Sequence, residues 1–240
     1  MSVVAPSWSS KWADLLDLAL PAIDYVFRDR PQGDKPLWTI GGGTALALQI
    51  DHRESNDIGI FVPGTKLKLF TPNANPEARK ISRSYQWPGF YLKFELDFGE
   101  IDFLSPGLLT NPGFGWMDYG GRQIALETPE EVIIKEIRYR AEKFKLRDAF
   151  DLACTAMARP NLVDVLVEET PDALPRLLDA LRYLEGLGAE KLSAAVVPTI
   201  FGNTVLPRTF GVALSLVELA LARVADNQMT APGGGPAVEP

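Results

Sequence analysis

Three consecutive glycines, Gly41-Gly42-Gly43, separate a short apolar stretch, Leu37 to Ile40, from an apolar helical pattern over Thr44 to Ile50. Glycine weakens the interior of a strand or helix, so such a run marks the place where one element gives way to another. The expected local structure is a buried strand, a tight turn and a helix. The first amide N–H groups of a helix have no partner inside it, and the helix dipole favours negative charge at that end. The turn at Gly41 to Thr44 can therefore receive an anion such as a phosphate. A polar turn, Asp51 to Asn56, follows, and then a short apolar strand over Asp57 to Val62, closed by Pro63-Gly64. Asp57 close behind an anion site would place an oxygen ligand for a hard cation such as Mg²⁺ beside phosphates. Position 59, which shares a strand face with Asp57, is a glycine and not a second carboxylate.

Periodicity organises the rest of the chain. Leu15, Leu16, Leu18, Ala19, Ile23 and Val26 predict a helix over about 10–27, with Pro21 inside it. Residues 65–80 read as a polar connection. Tyr91 to Phe98 alternates, with Leu92, Phe94, Leu96 and Phe98 opposite Lys93, Glu95 and Asp97, which predicts a half-buried strand. Gly99-Glu100 then reads as the turn into a second strand, Ile101 to Leu104, carrying Asp102. Ser105 to Gly121, rich in Gly and Pro, reads as a loop.

Thr128, Pro129 and Glu131 form a helix start, with a hydroxyl cap, a proline at the first position and a carboxylate at the third. The helix they open has a basic second half, Lys135, Arg138, Arg140, Lys143 and Lys145, expected mainly as a solvated face with Glu131 supporting Lys135. Arg147-Asp148 opens another helix, where Asp148 would cap or orient a neighbour. Helical patterns follow at 162–168, 173–187, 189–197 and 212–224, and the tail from Asn227 lacks the apolar anchors to fold. The expected fold class is α+β: an α/β portion over 1–126 with a small mixed sheet, a helical portion over 127–226, and a disordered tail over 227–240.

Composition limits the function classes. The 240 residues carry a net charge of −7, which argues against coating nucleic acid by bulk electrostatics, though a local basic strip can bind RNA or a nucleotide. With one cysteine, Cys154, and one histidine, His52, an internal disulfide and a Cys/His zinc site are excluded. Cys154 lies in an apolar helical run and reads as a buried thiol, and His52 reads as a surface-turn residue. No signal peptide and no uncharged apolar run of membrane-spanning length is evident, so a soluble cytoplasmic protein is expected.

Taken in order, these pieces form a pattern. Gly42-Gly43-Thr44-Ala45-Leu46, then His52-Arg53-Glu54-Ser55-Asn56-Asp57-Ile58-Gly59-Ile60-Phe61, resembles the "GGTAL … HR-x-S-x-DIDxF" signature of AbiEii-type nucleotidyltransferases, toxin components of type IV-like toxin–antitoxin and phage abortive-infection systems. Ile101-Asp102-Phe103 is similar to that family's third-carboxylate strand. Glu127 to Lys135 and Arg147-Asp148-Ala149-Phe150-Asp151-Leu152 are similar to its later lysine and "RDxFDL" motifs. The resemblance implies a DNA polymerase β-like nucleotidyltransferase fold and Mg²⁺-dependent transfer of a nucleotide from an NTP, in some members to tRNA, with a cognate antitoxin as partner. It implies Asp57 and Asp102 as metal ligands, and Gly42, Gly43 and Thr44 around the phosphates with Arg53 and Ser55 nearby. Lys135 would meet the triphosphate, with Asp148 beside it. The chain departs from the signature at Gly59, where the family has its second carboxylate. A non-catalytic module of the same fold, binding a partner protein or RNA, is the other expectation.

Overall fold

A computed structural model of the chain describes residues 11–30 and 33–230. The first helix, α1 (Trp12–Phe27), buries Leu15, Leu16, Ala19, Ala22 and Ile23 on one face, as their spacing requires, and continues through Pro21. The strand expected before the glycines is β1 (Thr39–Gly41), and α2 (Gly42–Ile50) begins inside the glycine run. Gly42 takes a positive φ of 66°, a conformation that glycine adopts without strain. The chain then forms β2 (Ile58–Phe61), the single-turn helices α3 (Gly64–Leu67) and α4 (Ala78–Ile81), and the hairpin β3 (Tyr91–Leu96) with β4 (Gly99–Leu104). Asp57 lies just before β2 and not within it.

Two departures from the sequence expectation concern hairpins. The β3–β4 turn falls at Asp97-Phe98, because Leu96 pairs with Gly99, so Glu100 belongs to the strand. The expected loop over 105–121 contains β5 (Phe114–Tyr119), which pairs with β6 (Arg122–Glu127) across Gly120-Gly121. Both glycines have positive φ, 61° and 83°, the geometry of a tight two-residue hairpin turn.

The six strands form one mixed sheet in the order β3-β4-β2-β1-β6-β5. β2 runs parallel to β4 and antiparallel to β1, and β1 runs parallel to β6. Alternation splits the first strands cleanly. Ile58, Ile60, Leu92, Phe94, Ile101 and Phe103 are fully buried on one face, where α1 packs across β2 and β4. The register sets Gly41, Gly59, Asp102 and Lys93 in one row across β1, β2, β4 and β3 on the other face.

Helices follow the sheet: α5 (Pro129–Arg140), α6 (Leu146–Ala158), α7 (Leu162–Glu169), α8 (Leu174–Glu185), α9 (Ala189–Ala195), α10 (Ile200–Val205) and α11 (Thr209–Thr230). Thr128 caps α5 by accepting from the Glu131 amide, as expected. α11 extends through residues 227–230, expected as part of a disordered tail; the remainder of that tail lies outside the described residues. By length and composition the stretch Ile200–Met229 is apolar enough to cross a membrane. It packs Ala213, Val217 and Ala220 against α6, α7 and α8, and Arg223 and Glu218 reach Asp164 and Arg182.

Candidate active site

The cleft sits where the first turn of α2 meets the ends of β2 and β4. Gly41 to Thr44, Asp57, Gly59 and Asp102 line one side, and Arg140, Lys145, Arg147 and Asp148 from α5, α6 and their connection line the other. Among the described residues no side chain makes a cap bond at the N-terminus of α2, whose first-turn amides face the cleft. The Thr44 hydroxyl is turned away from that role: it bonds to the Asp57 carbonyl and lies 2.8 Å from the Ser55 hydroxyl. Thr44 and Ser55 thus fix the segment that delivers Asp57 to the cleft.

Gly43 is a glycine because of what lies beneath it. A Cβ there would collide with the Arg53 guanidinium. Arg53 is buried and makes two 2.7 Å bonds to the Asp151 carboxylate, Nε to Oδ1 and Nη2 to Oδ2. That planar two-point pairing is the strong form of an ion pair. Burial opposes the charge on Asp151, yet Arg53 and His52 hold its carboxyl well below the usual range. Arg53 thus lines the cleft beneath the glycine turn, with its guanidinium paired to Asp151. His52 is fully buried, contrary to the surface reading, with Nε2 2.8 Å from Asp151 Oδ1 and its ring stacked on Phe150. The reason is tertiary: the segment before α10 covers the turn, through Thr199 N–H to the His52 carbonyl and Glu54 N–H to the Val197 carbonyl. Cys154 is buried and its thiol is pushed up by burial, as its apolar helix suggested.

The two candidate metal ligands do open on the cleft. Asp102 is pushed up to about 6: burial is the main cause, with Glu100 and Asp57 adding to it and the Lys93 ammonium opposing. Its Oδ1 is buried and has no hydrogen-bond partner among the described residues. Lys93 bonds to Glu100 and lies 3.4 Å from Asp102 Oδ2. Among the described residues, no group of three or more His, Cys, Asp or Glu side chains is arranged to hold an ion by protein ligands alone. Asp57 and Asp102 fit a narrower task, because Mg²⁺ is commonly held by one or two carboxylates together with waters and substrate phosphates. At Gly59 a Cβ would lie 3.3 Å from the Gly41 carbonyl oxygen, so two backbones approach closely where the resembling family has a carboxylate.

Lys135 stands apart from that cleft. It is buried on α5, 2.6 Å from Glu127 Oε1 and 3.1 Å from Glu131, with its ammonium 4.1 Å from the centre of the Phe61 ring. It lines a neighbouring apolar hollow with Phe61, Pro106 and Tyr139. Most of the basic strip is exposed as expected, but Arg140 bridges Glu136 at 2.9 Å and Asp148 at 2.8 Å. Asp148 also accepts from the Lys145 amide at 2.9 Å, the capping contact its position predicted. Both oxygens of Asp148 are thus engaged at the cleft wall.

Several cleft residues were not assigned as site residues from sequence, among them Lys93, Glu100, Glu136 and Asp151. For Lys93 the signal was present, since the polar face of β3 had to lie beside the carboxylate on β4 once the two paired. Asp151 gives no local signal, because its partners Arg53 and His52 come from the other half of the chain.

No protein-family model matches the chain, and no curated protein matches it. Two solved structures from Helicobacter pylori are similar to it. One is of JHP933, 14% identical, covering 94% of this chain and 97% of that one, with a TM-score of 0.45. The other is of a provisionally named nucleotidyltransferase, 15% identical, covering 91% of this chain and 99% of that one, with a TM-score of 0.47.

Proposed function

We propose that this chain transfers a nucleotidyl group from an NTP to a hydroxyl acceptor. One observation carries the reading: the uncapped first turn of α2 and the carboxylates of Asp57 and Asp102 open on the same cleft. The amides of Gly42 and Gly43 would hold the phosphates. Asp57 and Asp102 would hold Mg²⁺, which when bound supplies charge neutralisation along the phosphates. The acceptor oxygen bonds to the α-phosphorus, the bond from that phosphorus to the bridging oxygen breaks, pyrophosphate leaves, and the hydroxyl proton passes to solvent water. The chain positions both reactants and shields the developing charge.

Exposed Lys143, Lys145 and Arg147, the last two at the cleft itself, suit an RNA acceptor with a phosphate backbone despite the net negative charge. A tRNA acceptor, a toxin role and a cognate antitoxin follow from the AbiEii resemblance, and a cytoplasmic setting is proposed from the single cysteine. Lys135 enters this reading as the residue that fixes Glu127 beneath Gly41, and Asp148 as the residue that sets Arg140 at the cleft wall. A second reading is favoured by Gly59 and by the Lys93 contact with Asp102: a non-catalytic module that uses the cleft to bind nucleotide or a partner.

Calorimetric titration with each of the four NTPs in Mg²⁺, and label transfer from α-labelled NTP to RNA, separate the two. We expect binding of at least one NTP, and a Gly59→Asp variant that transfers label at least about tenfold faster, since metal electrostatics dominate such sites. Binding without transfer in either protein selects the second reading. Failure of both proteins to bind any NTP overturns the first.

A further inference from the structure

The row that crosses the sheet at the cleft ends on a cation supplied by the chain itself. Lys93 stands directly opposite Asp102, and its ammonium is bonded to Glu100 and lies 3.4 Å from Asp102 Oδ2. Its main chain is held on both edges, by β4 on one side and on the other by Gln86, whose amide donates to the Lys93 carbonyl at 2.9 Å and whose carbonyl accepts from Lys93 at 3.1 Å. The ammonium therefore has a fixed origin and only its own stem to move on. Asp102 is left divided: Oδ2 faces Lys93, while Oδ1 is buried with no hydrogen-bond partner among the described residues. The next position in the row, Gly59, offers no side chain to share the load.

We propose that Lys93 makes divalent-cation binding at Asp57 and Asp102 dependent on a bound triphosphate. The proposal rests on the nucleotidyl-transfer reading, which supplies both the ion and the triphosphate. Without nucleotide, the ammonium neutralises Glu100 and Asp102 and repels a second cation at contact range. The two remaining carboxylate contacts are then too few to hold a hydrated Mg²⁺. With triphosphate in the cleft, phosphate oxygens complete the ion's shell and supply negative charge that offsets Lys93. Lys93 is in this sense a gate on the order of binding.

The test is Mn²⁺ binding, followed by the electron paramagnetic resonance of the free ion, with and without a non-hydrolysable α,β-methylene triphosphate. Because the analogue chelates Mn²⁺ itself, that complex is titrated first without protein, and wild-type protein should then bind the Mn²⁺–analogue complex at least about tenfold more tightly than Mn²⁺ alone. Lys93→Met keeps the apolar stem and removes the charge. It should bind Mn²⁺ alone at least about tenfold more tightly than wild type, so that the gap narrows. Lys93→Gln should behave like Lys93→Met, and Lys93→Arg should keep the wild-type gap. If folded Lys93→Met and Lys93→Gln both bind Mn²⁺ alone no more tightly than wild type, the gating role is overturned. If Mn²⁺ binding in the presence of the analogue is unaffected by Asp102→Asn in every background, the nucleotidyl-transfer reading falls and this inference falls with it.

Discussion

Gly59 and Gly41 are partners in the β1–β2 register, but only Gly41 is kept small by what approaches it. A Cβ at Gly41 would collide with Glu127 and Phe61, whereas one at Gly59 needs the Gly41 carbonyl to yield only a few tenths of an ångström. A side chain at position 59 is therefore sterically close to allowed, which is why Gly59→Asp is a usable probe. His52 makes a separate point about charge. Burial holds its pKa below the ordinary value of 6.5, against the pull of Asp151. A histidine lowered in the folded state contributes stability that is present above 6.5 and is lost as pH falls through that value towards its folded pKa. We expect the stability advantage of wild type over His52→Gln, read as the difference in Tm, to narrow between about pH 7.5 and pH 5.5. A gap that widens on acidification would show that His52 is charged beside Asp151.

At the scale of elements, α10 presses on the loop that carries Arg53. Thr199 donates to the Asp51 carbonyl and caps Gly202, and a Cβ at Gly202 would overlap the His52 carbonyl oxygen. Because the obstacle is backbone, it cannot swing aside. Gly202→Ala should cost about 1–3 kcal/mol in chemical denaturation, and should weaken NTP binding in parallel by shifting Arg53 under Gly43. Unchanged stability would mean that α10 sits off the loop. The contrast with what could be read from sequence is physical. The glycine turn, the Thr128 cap and the Tyr91-to-Phe98 alternation are local signals, and they located β1, α2, α5 and β3. The β5–β6 hairpin was hidden because Gly115, Asp118 and Gln123 break the alternation around its Gly-Gly turn. α10 was hidden because six residues are too few for helical periodicity to register. The burial of His52 escaped for a different reason: a polar turn looks solvent-facing until Asp151 and Pro198 are known to close over it.

Across the whole molecule, the boundary near residue 126, where strand patterns give way to helical ones, falls between partners in the same buried contacts. Thr39 donates to Glu127 Oε1 at 2.6 Å, and that oxygen also holds Lys135. Glu131 accepts from the amides of Leu109 and Thr110 at 2.7–3.0 Å, tying the loop before β5 to α5. Arg53 and His52 meet Asp151, and α2 packs on both α5 and α6. Removing one partner of a buried ion pair leaves an uncompensated charge and costs about 3–5 kcal/mol, a large share of a typical domain's whole stability. A fragment ending at Glu127 would lose Asp151, Lys135 and the helices over α2 together. It should therefore show no cooperative thermal unfolding by calorimetry and bind no NTP, even though it retains every strand, both candidate metal ligands and the glycine turn. A fragment that unfolds cooperatively and binds nucleotide would instead make the first half an autonomous domain, with the helices as an addition to a site already complete.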